Sequence, residues 1–256
     1  MSHFVALTIA GSDSGGGAGI QADLKTFQAF GVHGTCAITA ITSQNTNGVQ
    51  GVFDVPLQVI ESQIDSVVGD FNVRYAKTGM LSKKETIGLV AKKAEQYGLK
   101  LVVDPVMAAE AGGRLLNQDA VESLAYDLLP LAEVVTPNIN EAKVLSGIEI
   151  NSLESAYEAC REIYAFGVQN VVLTGGHFNG IDILCNGKFS VLKGDLVKGG
   201  THGTGCTHSA AITASLARGE PIEKACANAK SFVKRAVMSS MDVGHGVKPV
   251  NPGGIK

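Results

Sequence analysis

A glycine-rich turn in the last third of the sequence has the residue types that bind a phosphate group. Gly203-Thr204-Gly205-Cys206 opens a helical pattern. A helix N-terminus offers unpaired N–H groups and the positive end of a dipole, and glycines let a phosphate oxygen approach closely. The same dipole lowers the pKa of a thiol, so we expect Cys206 to be available as a thiolate. The alternative is that Cys206 is a small buried residue, which is the usual role of an arbitrary cysteine.

A second glycine-rich loop, Gly11 to Gly19, follows an apolar run near the N-terminus. The pattern GxGxxA begins at Gly17 and would suit a dinucleotide-binding site. An NAD-dependent oxidoreductase also needs an acidic side chain about 20 residues further on, and Thr42 to Thr46 contains none. The P-loop sequence GxxxxGK[ST] is absent too, so a nucleotide must be held in another way. A glycine turn without any ligand is the remaining alternative.

Two acidic side chains come shortly after predicted strands. Asp104 directly follows the run 101–103, and Glu141 lies three residues beyond Asn138. Ligands of open α/β sheets bind at the carboxyl ends of strands, where a carboxylate and an amide could orient a hydrated Mg²⁺. A purely structural helix start, with Asn138 as N-cap and Glu141 as N3, would use the same residues. These residues alone leave both interpretations open.

The order of strand and helix patterns predicts how these segments are positioned. Apolar runs predict strands at 4–10, 35–41, 75–77, 101–103, 134–135 and 171–173. Helical patterns occupy 20–30, 57–68, 83–97, 118–128, 139–145, 153–166, 203–216 and 222–238. This alternation predicts an α/β fold with a mostly parallel sheet and helices on both faces. Asn186-Gly187 predicts a small antiparallel hairpin. No linker or repeat divides the 256 residues, so we expect a single domain.

The composition narrows the classes of partner. Lys and Arg number 21 against 24 Asp and Glu, they form no stripe, and Trp is absent, so we expect no nucleic-acid partner. No apolar run reaches the roughly 18 residues of a membrane span, and the N-terminus lacks a signal-peptide pattern, so we expect a cytoplasmic protein. The five cysteines form no CxxC pair and the six histidines no HExxH motif. We therefore expect no disulfide framework and no zinc, and mostly structural histidines.

Seven segments in order resemble the bacterial and archaeal hydroxymethylpyrimidine/phosphomethylpyrimidine kinases of thiamine biosynthesis, in the ribokinase superfamily. They are AGSDSGGGAGIQADLKTF from Ala10, TSQNTNGVQ from Thr42, KTGM from Lys77, VDPVM from Val103, VTPNINEA from Val135, THGTGCT from Thr201 and VGHGVKPV from Val243. Each segment alone is ambiguous, but together they cover nearly the whole chain. The resemblance implies a ribokinase-like fold, ATP and Mg²⁺ as cofactors and a homodimer.

The resemblance also implies two reactions and a role for each matching residue. ATP would phosphorylate 4-amino-5-hydroxymethyl-2-methylpyrimidine, and a second ATP would convert the monophosphate to the diphosphate. Gln44 would hydrogen-bond the aminopyrimidine, and the other substrate-binding residues would be Gly11, Ala18, Met80, Val106 and, nearby, Asp23. Gly203, Gly205 and Cys206 would form the anion hole, with Cys206 as the base. Mg²⁺ would be organised by Glu141 and Asn138, with Asp104 as a further candidate ligand, and the nucleotide would contact Asn138, Thr174, Lys198 and Thr204.

One position departs from the family pattern. The family often has a lysine before the Gly-Gly-His segment, where this chain has Thr174. Lys198, upstream of the anion hole, is the candidate for replacing the missing charge. The nearest alternative function is a pyridoxal kinase of the same cysteine-bearing branch, although the stretch 44–46 favours the aminopyrimidine. A non-catalytic sensor that binds the pyrimidine without consuming ATP is the alternative from another class, beside the NAD-dependent oxidoreductase.

Overall fold

The computed structural model describes residues 3–107, 118–175 and 180–254. Its strands are β1 (Val5–Asp13), β2 (His33–Asn45), β3 (Gly48–Asp54), β4 (Tyr75–Thr78), β5 (Lys100–Val103), β6 (Ala132–Val135), β7 (Val171–Leu173), β8 (Asp182–Cys185) and β9 (Phe189–Leu192). Its helices are α1 (Gly19–Ala29), α2 (Leu57–Asp70), α3 (Lys84–Tyr97), α4 (Gln118–Ser123), α5 (Ile139–Ser146), α6 (Leu153–Tyr164), α7 (Thr204–Ala217) and α8 (Ile222–Met238). A π-helical turn, Leu124–Leu128, continues α4.

These strands form one sheet in the order β3-β2-β1-β4-β5-β6-β7-β8-β9. The strands from β2 through β7 in this order pair in parallel. At one edge β3 is antiparallel to β2, and at the other β8 and β9 form the antiparallel hairpin expected around Asn186-Gly187. The mostly parallel sheet with a small hairpin is therefore confirmed.

Helices cover both faces of the sheet because the central strands are apolar on both sides. Val102 packs in a buried cluster with side chains of α7 and α8. Its neighbours Leu101 and Val103 belong to the cluster formed with α2 to α6. All three side chains are fully buried. Within the described ranges, no helix combines the length and the apolar character needed to cross a membrane.

The sequence patterns missed strand β3 and the full lengths of β1 and β2. β3 is an edge strand, and Phe53 within it is 64% exposed. Its backbone pairs with β2, as in the register Ile41↔Phe53, without burying a continuous apolar face. A pattern of buried side chains therefore could not reveal it. β1 continues through Gly11 to Asp13 because its backbone still pairs with β2 at Ser12 and Asp13, so the glycine loop is shorter than predicted.

Candidate active site

A cavity of about 920 Å³ lies at the carboxyl ends of the parallel strands, beside the first turn of α7. This is the sheet edge at which the sequence predicted a site. The cavity is lined by most of the predicted site residues, namely Gly11, Ala18, Gln44, Met80, Asp104, Val106, Asn138, Glu141, Thr174, Gly203, Thr204, Gly205 and Cys206. Asp23 and Lys198 do not line it. The folded chain thus brings together residues that lie up to 195 positions apart in the sequence.

The glycine turn before α7 has two glycines with different tasks. Gly203 has a φ of 88°, and a Cβ there would lie 1.9 Å from the carbonyl oxygen of Gly17. The fold itself therefore requires glycine at this position. A Cβ on Gly205 would approach only Oδ2 of Asp104, at 4.0 Å. Because no neighbouring element among the described residues crowds Gly205, its bare backbone leaves room for a ligand to reach the N–H groups at the start of α7.

Cys206 does not have the lowered pKa that its place at a helix start suggested. The residue is half-buried in the first turn of α7. Desolvation of the thiol raises its pKa to about 12, although the ammonium of Lys77 acts in the opposite direction. The expectation of a readily available thiolate was therefore wrong, because burial outweighs the favourable charges at this site.

Lys77, at which the resembling segment KTGM begins, lines the cavity and is fully buried. Its Nζ lies 2.8 Å from Oδ1 of Asp23 and 3.7 Å from Oδ2 of Asp104. Burial alone would lower the pKa of Lys77, but the charges of Asp23, Cys206 and Asp104 and the hydrogen bond to Asp23 together outweigh it, and the pKa lies above its ordinary value. Lys77 is therefore a permanent cation in the cavity wall. Lys77 was not among the predicted site residues, although a lysine at the end of the apolar run 75–77 was a sign of a buried charge.

Asp23 lies behind Lys77 rather than at the cavity surface, which corrects its predicted role as a substrate contact. Its Oδ2 accepts hydrogen bonds from Oγ1 of Thr8 at 2.6 Å and from Nζ of Lys77 at 2.9 Å. The carboxylate is fully buried. Asp23 therefore acts on the cavity through Lys77, by fixing the position of the ammonium group.

The carboxylates of Asp104, directly after β5, and of Glu141, in the first turn of α5, are buried and line the same cavity. Oδ2 of Asp104 accepts a hydrogen bond from Oγ of Ser209 at 2.9 Å. Burial and the charge of Asp104 raise the pKa of Glu141 to about 8. Two carboxylates that repel each other in this way suit a divalent cation. Mg²⁺ commonly takes one or two carboxylates together with substrate phosphates and water, so these residues fit the ion.

Asn138 and Glu141 also form the structural helix start that the sequence allowed. Glu141 N–H donates to Oδ1 of Asn138 at 3.0 Å, and Asn138 N–H donates to Oε2 of Glu141 at 2.9 Å. This reciprocal pair is a capping box at α5. The cap uses the side-chain oxygen of Asn138, so the structural interpretation of these two residues is confirmed. Both residues nevertheless remain in the cavity wall.

Lys198 does not compensate for the missing lysine. Its side chain is exposed and lies outside the cavity lining. Thr174 does line the cavity, where its N–H donates to the carbonyl oxygen of Pro137 at 2.9 Å. Gly176 and His177 of the same motif lie outside the described residues. The lysine that faces the cavity is Lys77, which reaches it from a different strand.

His202 is a cavity residue that the sequence analysis grouped with the structural histidines. Its Nε2 lies 3.0 Å from Oδ2 of Asp13 and 3.3 Å from Nε2 of Gln44. The carboxylate of Asp13 in turn accepts N–H groups of the glycine loop at Gly15, at 2.8 Å, and Ala18, at 2.9 Å. The position of His202 inside THGTGCT was the available clue. The histidine joins the glycine loop to the residue expected to contact the substrate.

Comparison with known proteins agrees with this geometry. The family model described as phosphomethylpyrimidine kinase matches residues 13–251. A hydroxymethylpyrimidine/phosphomethylpyrimidine kinase of Haemophilus influenzae is 47% identical over 255 residues, which cover 96% of this chain and 95% of that protein.

Two solved structures extend the comparison to the fold. A phosphomethylpyrimidine kinase from Clostridium difficile 630 is 42% identical, with a TM-score of 0.82 over 91% of this chain and 99% of that one. A pyridoxal kinase from Staphylococcus aureus, in complex with AMP-PCP and pyridoxal, is 36% identical, with a TM-score of 0.91 over 99% of this chain and 94% of that one. These likenesses confirm the ribokinase-like fold. Because the family model matches residues 13–251, far more than half of the sequence, the chain belongs to the phosphomethylpyrimidine kinase family.

Proposed function

We propose that this chain transfers the γ-phosphoryl group of ATP to 4-amino-5-hydroxymethyl-2-methylpyrimidine and then, from a second ATP, to the monophosphate. One observation carries the proposal: Gln44, the uncrowded start of α7 and the buried carboxylates Asp104 and Glu141 line the same cavity. The Gln44 amide, which can hydrogen-bond the edge of a ring, and the anion site at the start of α7 thus face the same space. The names of the relatives support the same pair of reactions.

Charge neutralisation is the main task of such a site, because phosphoryl transfer depends on positioning and electrostatic stabilisation. Asp104 and Glu141 would hold Mg²⁺, which when bound offsets the charge of the phosphates. Lys77 adds a fixed positive charge to the same wall. The backbone N–H groups of Gly205 and Cys206 would donate to the transferred group from the first turn of α7. Thr174 and Thr204 remain nucleotide contacts in this proposal.

The proton of the alcohol is the second task, and it arises only in the first reaction. The hydroxyl group must lose its proton as it attacks, whereas the monophosphate already carries an oxyanion. Cys206 lines the cavity at the start of α7 and is the proposed acceptor. Burial opposes the thiolate form that would accept this proton, and the ammonium of Lys77 favours it. Cys206 would therefore contribute more to the phosphorylation of the alcohol than to the phosphorylation of the monophosphate.

Cys206→Ala should lower the rate of the first phosphorylation at least about tenfold more than that of the second, since an assisted proton transfer contributes about 10²–10⁴-fold. The two rates are measured separately, with the alcohol and with the monophosphate as the starting substrate. Cys36→Ala is the matched control, because Cys36 is also half-buried but lies outside the cavity lining. Equal losses in both reactions would instead make Cys206 a residue that only shapes the anion hole.

An ADP-release assay with defined acceptors tests the proposal as a whole. We expect ATP consumption with the aminopyrimidine alcohol, a weaker response to pyridoxal and none without an acceptor. Pyridoxal is the second candidate because a similar solved structure is a pyridoxal kinase with that compound bound. Turnover of pyridoxal above that of the pyrimidine would reverse the assignment. Binding of the pyrimidine without ADP release would identify a sensor, and tight NAD binding without ADP release an oxidoreductase.

We further propose that residues 1–256 form one domain and that two copies associate. One continuous sheet, running from β3 to β9, supports the proposal of one domain.

The edge strand β3 supports the proposal that two copies associate, because it leaves Val52 and Phe53 exposed beside Ile41 of β2. Large apolar side chains on an exposed edge strand are typical of a surface that pairs with another chain. Sedimentation equilibrium would distinguish a dimer from a monomer.

A further inference from the structure

Four polar side chains form a hydrogen-bonded row along the substrate wall of the cavity. At one end, Nε2 of His202 lies 3.0 Å from Oδ2 of Asp13. The same nitrogen is 3.3 Å from one end of the Gln44 amide. The other end of that amide is 3.1 Å from Oγ1 of Thr42, which is itself 3.0 Å from the carbonyl oxygen of Ser12. The protonation of each member therefore constrains the next.

Asp13 fixes the first proton of this row. Its carboxylate accepts the N–H groups of Gly15, Gly17 and Ala18 at 2.8, 3.0 and 2.9 Å. Burial raises the pKa of Asp13, but the hydrogen bonds from His202 and from Ala18 and Gly15 outweigh it, and the pKa lies below its ordinary value. An ionised carboxylate can only accept. Nε2 of His202 must therefore carry a hydrogen, whether the ring is neutral or charged, and it cannot accept one from Gln44.

The amide of Gln44 must then turn its oxygen, not its nitrogen, toward His202. A half-turn about the last side-chain bond exchanges the two ends of an amide with little change in shape. In that orientation the single N–H of His202 Nε2 is shared between the Asp13 carboxylate and the Gln44 oxygen, and the Gln44 nitrogen donates to Oγ1 of Thr42. The Thr42 hydroxyl gives its own hydrogen to the Ser12 carbonyl. Every donor in the row then faces an acceptor, whereas the opposite orientation places two donors together at His202.

The surrounding backbone holds the histidine ring in place. A Cβ on Gly17 would lie 2.4 Å from Cδ2 of His202 and 2.9 Å from Cβ of Pro249, so the bare glycine packs against both. His202 N–H donates to the carbonyl oxygen of Lys248 at 3.2 Å, and Val250 N–H donates to the carbonyl oxygen of His202 at 3.0 Å. Residue His202 is therefore fixed through its ring and through its main chain.

The same C-terminal segment also holds the strand end that carries Gln44. Val247 N–H donates to the carbonyl oxygen of Thr46 at 2.8 Å. The N–H groups of His245 and Gly246 both donate to Oγ1 of Thr46, each at 3.1 Å. We refer to residues 245–250 as the C-terminal strap. Since the strap binds both His202 and Thr46, it sets the distance between the histidine and the amide.

We propose that His202, oriented by Asp13, is a positioning residue that fixes the Gln44 amide and thereby makes the cavity select a 4-aminopyrimidine over its 4-oxo analogue. The inference rests on the proposed function. A 4-aminopyrimidine presents a donor next to a ring-nitrogen acceptor, and a 4-oxopyrimidine presents the reverse order, an acceptor next to an N–H donor. The fixed amide keeps one free lone pair and one free N–H in one order. An amide free to turn could pair with either ring.

The experiment compares kcat/KM for the 4-amino alcohol and for the matching 4-oxo alcohol. His202→Leu should reduce the preference for the amino compound at least about tenfold, the scale of one hydrogen bond's discrimination. Thr42→Val, which frees the other end of the amide, should reduce it in the same direction. His202→Gln should restore the preference, because its terminal N–H₂ can donate to both Asp13 and Gln44. Gln44→Ala is the reference in which the preference is lost completely.

The outcomes separate this inference from the proposed function. If the unmodified protein does not phosphorylate the amino compound, the proposed function fails, and the inference fails with it. If it does, and either His202→Leu or Thr42→Val keeps the full preference, the positioning role alone is overturned. A loss of rate that is equal for both rings would show only a structural role for His202. Should His202→Leu not fold, the comparison of Thr42→Val with His202→Gln decides the outcome.

Discussion

Lys77→Met should destabilise the protein by about 3–5 kcal/mol, the scale for breaking a buried ion pair, and should reduce phosphoryl transfer more than about 100-fold. Lys77 is fully buried, and its ammonium lies 2.8 Å from Asp23 and 3.7 Å from Asp104. Removing it leaves two buried carboxylates without their cation and takes a positive charge from the cavity wall. Denaturant unfolding measures the first effect, and ADP release with the aminopyrimidine alcohol measures the second.

A second substitution separates the two effects of Lys77. In Lys77→Met combined with Asp23→Asn, the unpaired charge behind the cavity is gone, so most of the lost stability should return. The activity should not return, because the cation is still missing. Recovery of activity together with stability would show that Lys77 only holds the fold together. Lys83→Met is the surface control: Lys83 pairs with Asp54 at 2.7 Å, but its side chain is 59% exposed, and we expect little change in either measurement.

Gly205→Ala should lower kcat/KM for ATP by about 100-fold while leaving the stability unchanged or slightly higher. Outside α7 itself, the new methyl group would meet no atom of the described residues closer than Oδ2 of Asp104 at 4.0 Å, so the fold can accept it. It would occupy the space through which a phosphate reaches the N–H groups of α7. Loss of one such donor typically costs about 10²–10³-fold. Steady-state kinetics with varied ATP, together with thermal unfolding, test both parts of this prediction.

Gly88→Ala provides a matched control for the glycine substitution. Gly88 lies within α3, and a Cβ there would also meet no atom within 4 Å. Alanine should stabilise that helix by up to about 1 kcal/mol without changing ATP use. If Gly205→Ala used ATP as well as Gly88→Ala does, the start of α7 would not be the phosphate site.

The sequence predicted the parts of the fold that depend on burial along the chain. Alternating apolar runs and helical patterns were sufficient for the parallel strands, since residues such as Leu101 and Val102 are buried on both faces of the sheet. The carboxyl ends of parallel strands meet at one edge, which is why the sequence alone could place Asp104 and Glu141 together. Strand β3 was not predicted, because backbone pairing holds it at the edge of the sheet and its exposed residues, such as Phe53, give no pattern of burial in the sequence.

The unpredicted parts of the site depend on contacts between distant segments. Lys77 gains its importance from Asp23, which lies on a helix 54 positions earlier. His202 meets Asp13 across 189 positions. The pKa of Cys206 could not be inferred from its local helix start, because the desolvation that raises it comes from the packing of the whole cavity wall. For Lys198 the prediction failed in the opposite direction. The residue is close to the glycine turn in sequence, but its side chain does not line the cavity.

The C-terminal strap has a consequence for the order in which the protein becomes competent during synthesis. Residues 245–250 follow every strand of the described sheet in the chain, yet they hold both Thr46 and His202. A ribosome-bound chain can therefore complete this sheet before Thr46 and His202 are held in place. Under the proposed function, recognition of the pyrimidine would therefore be acquired after the sheet has formed.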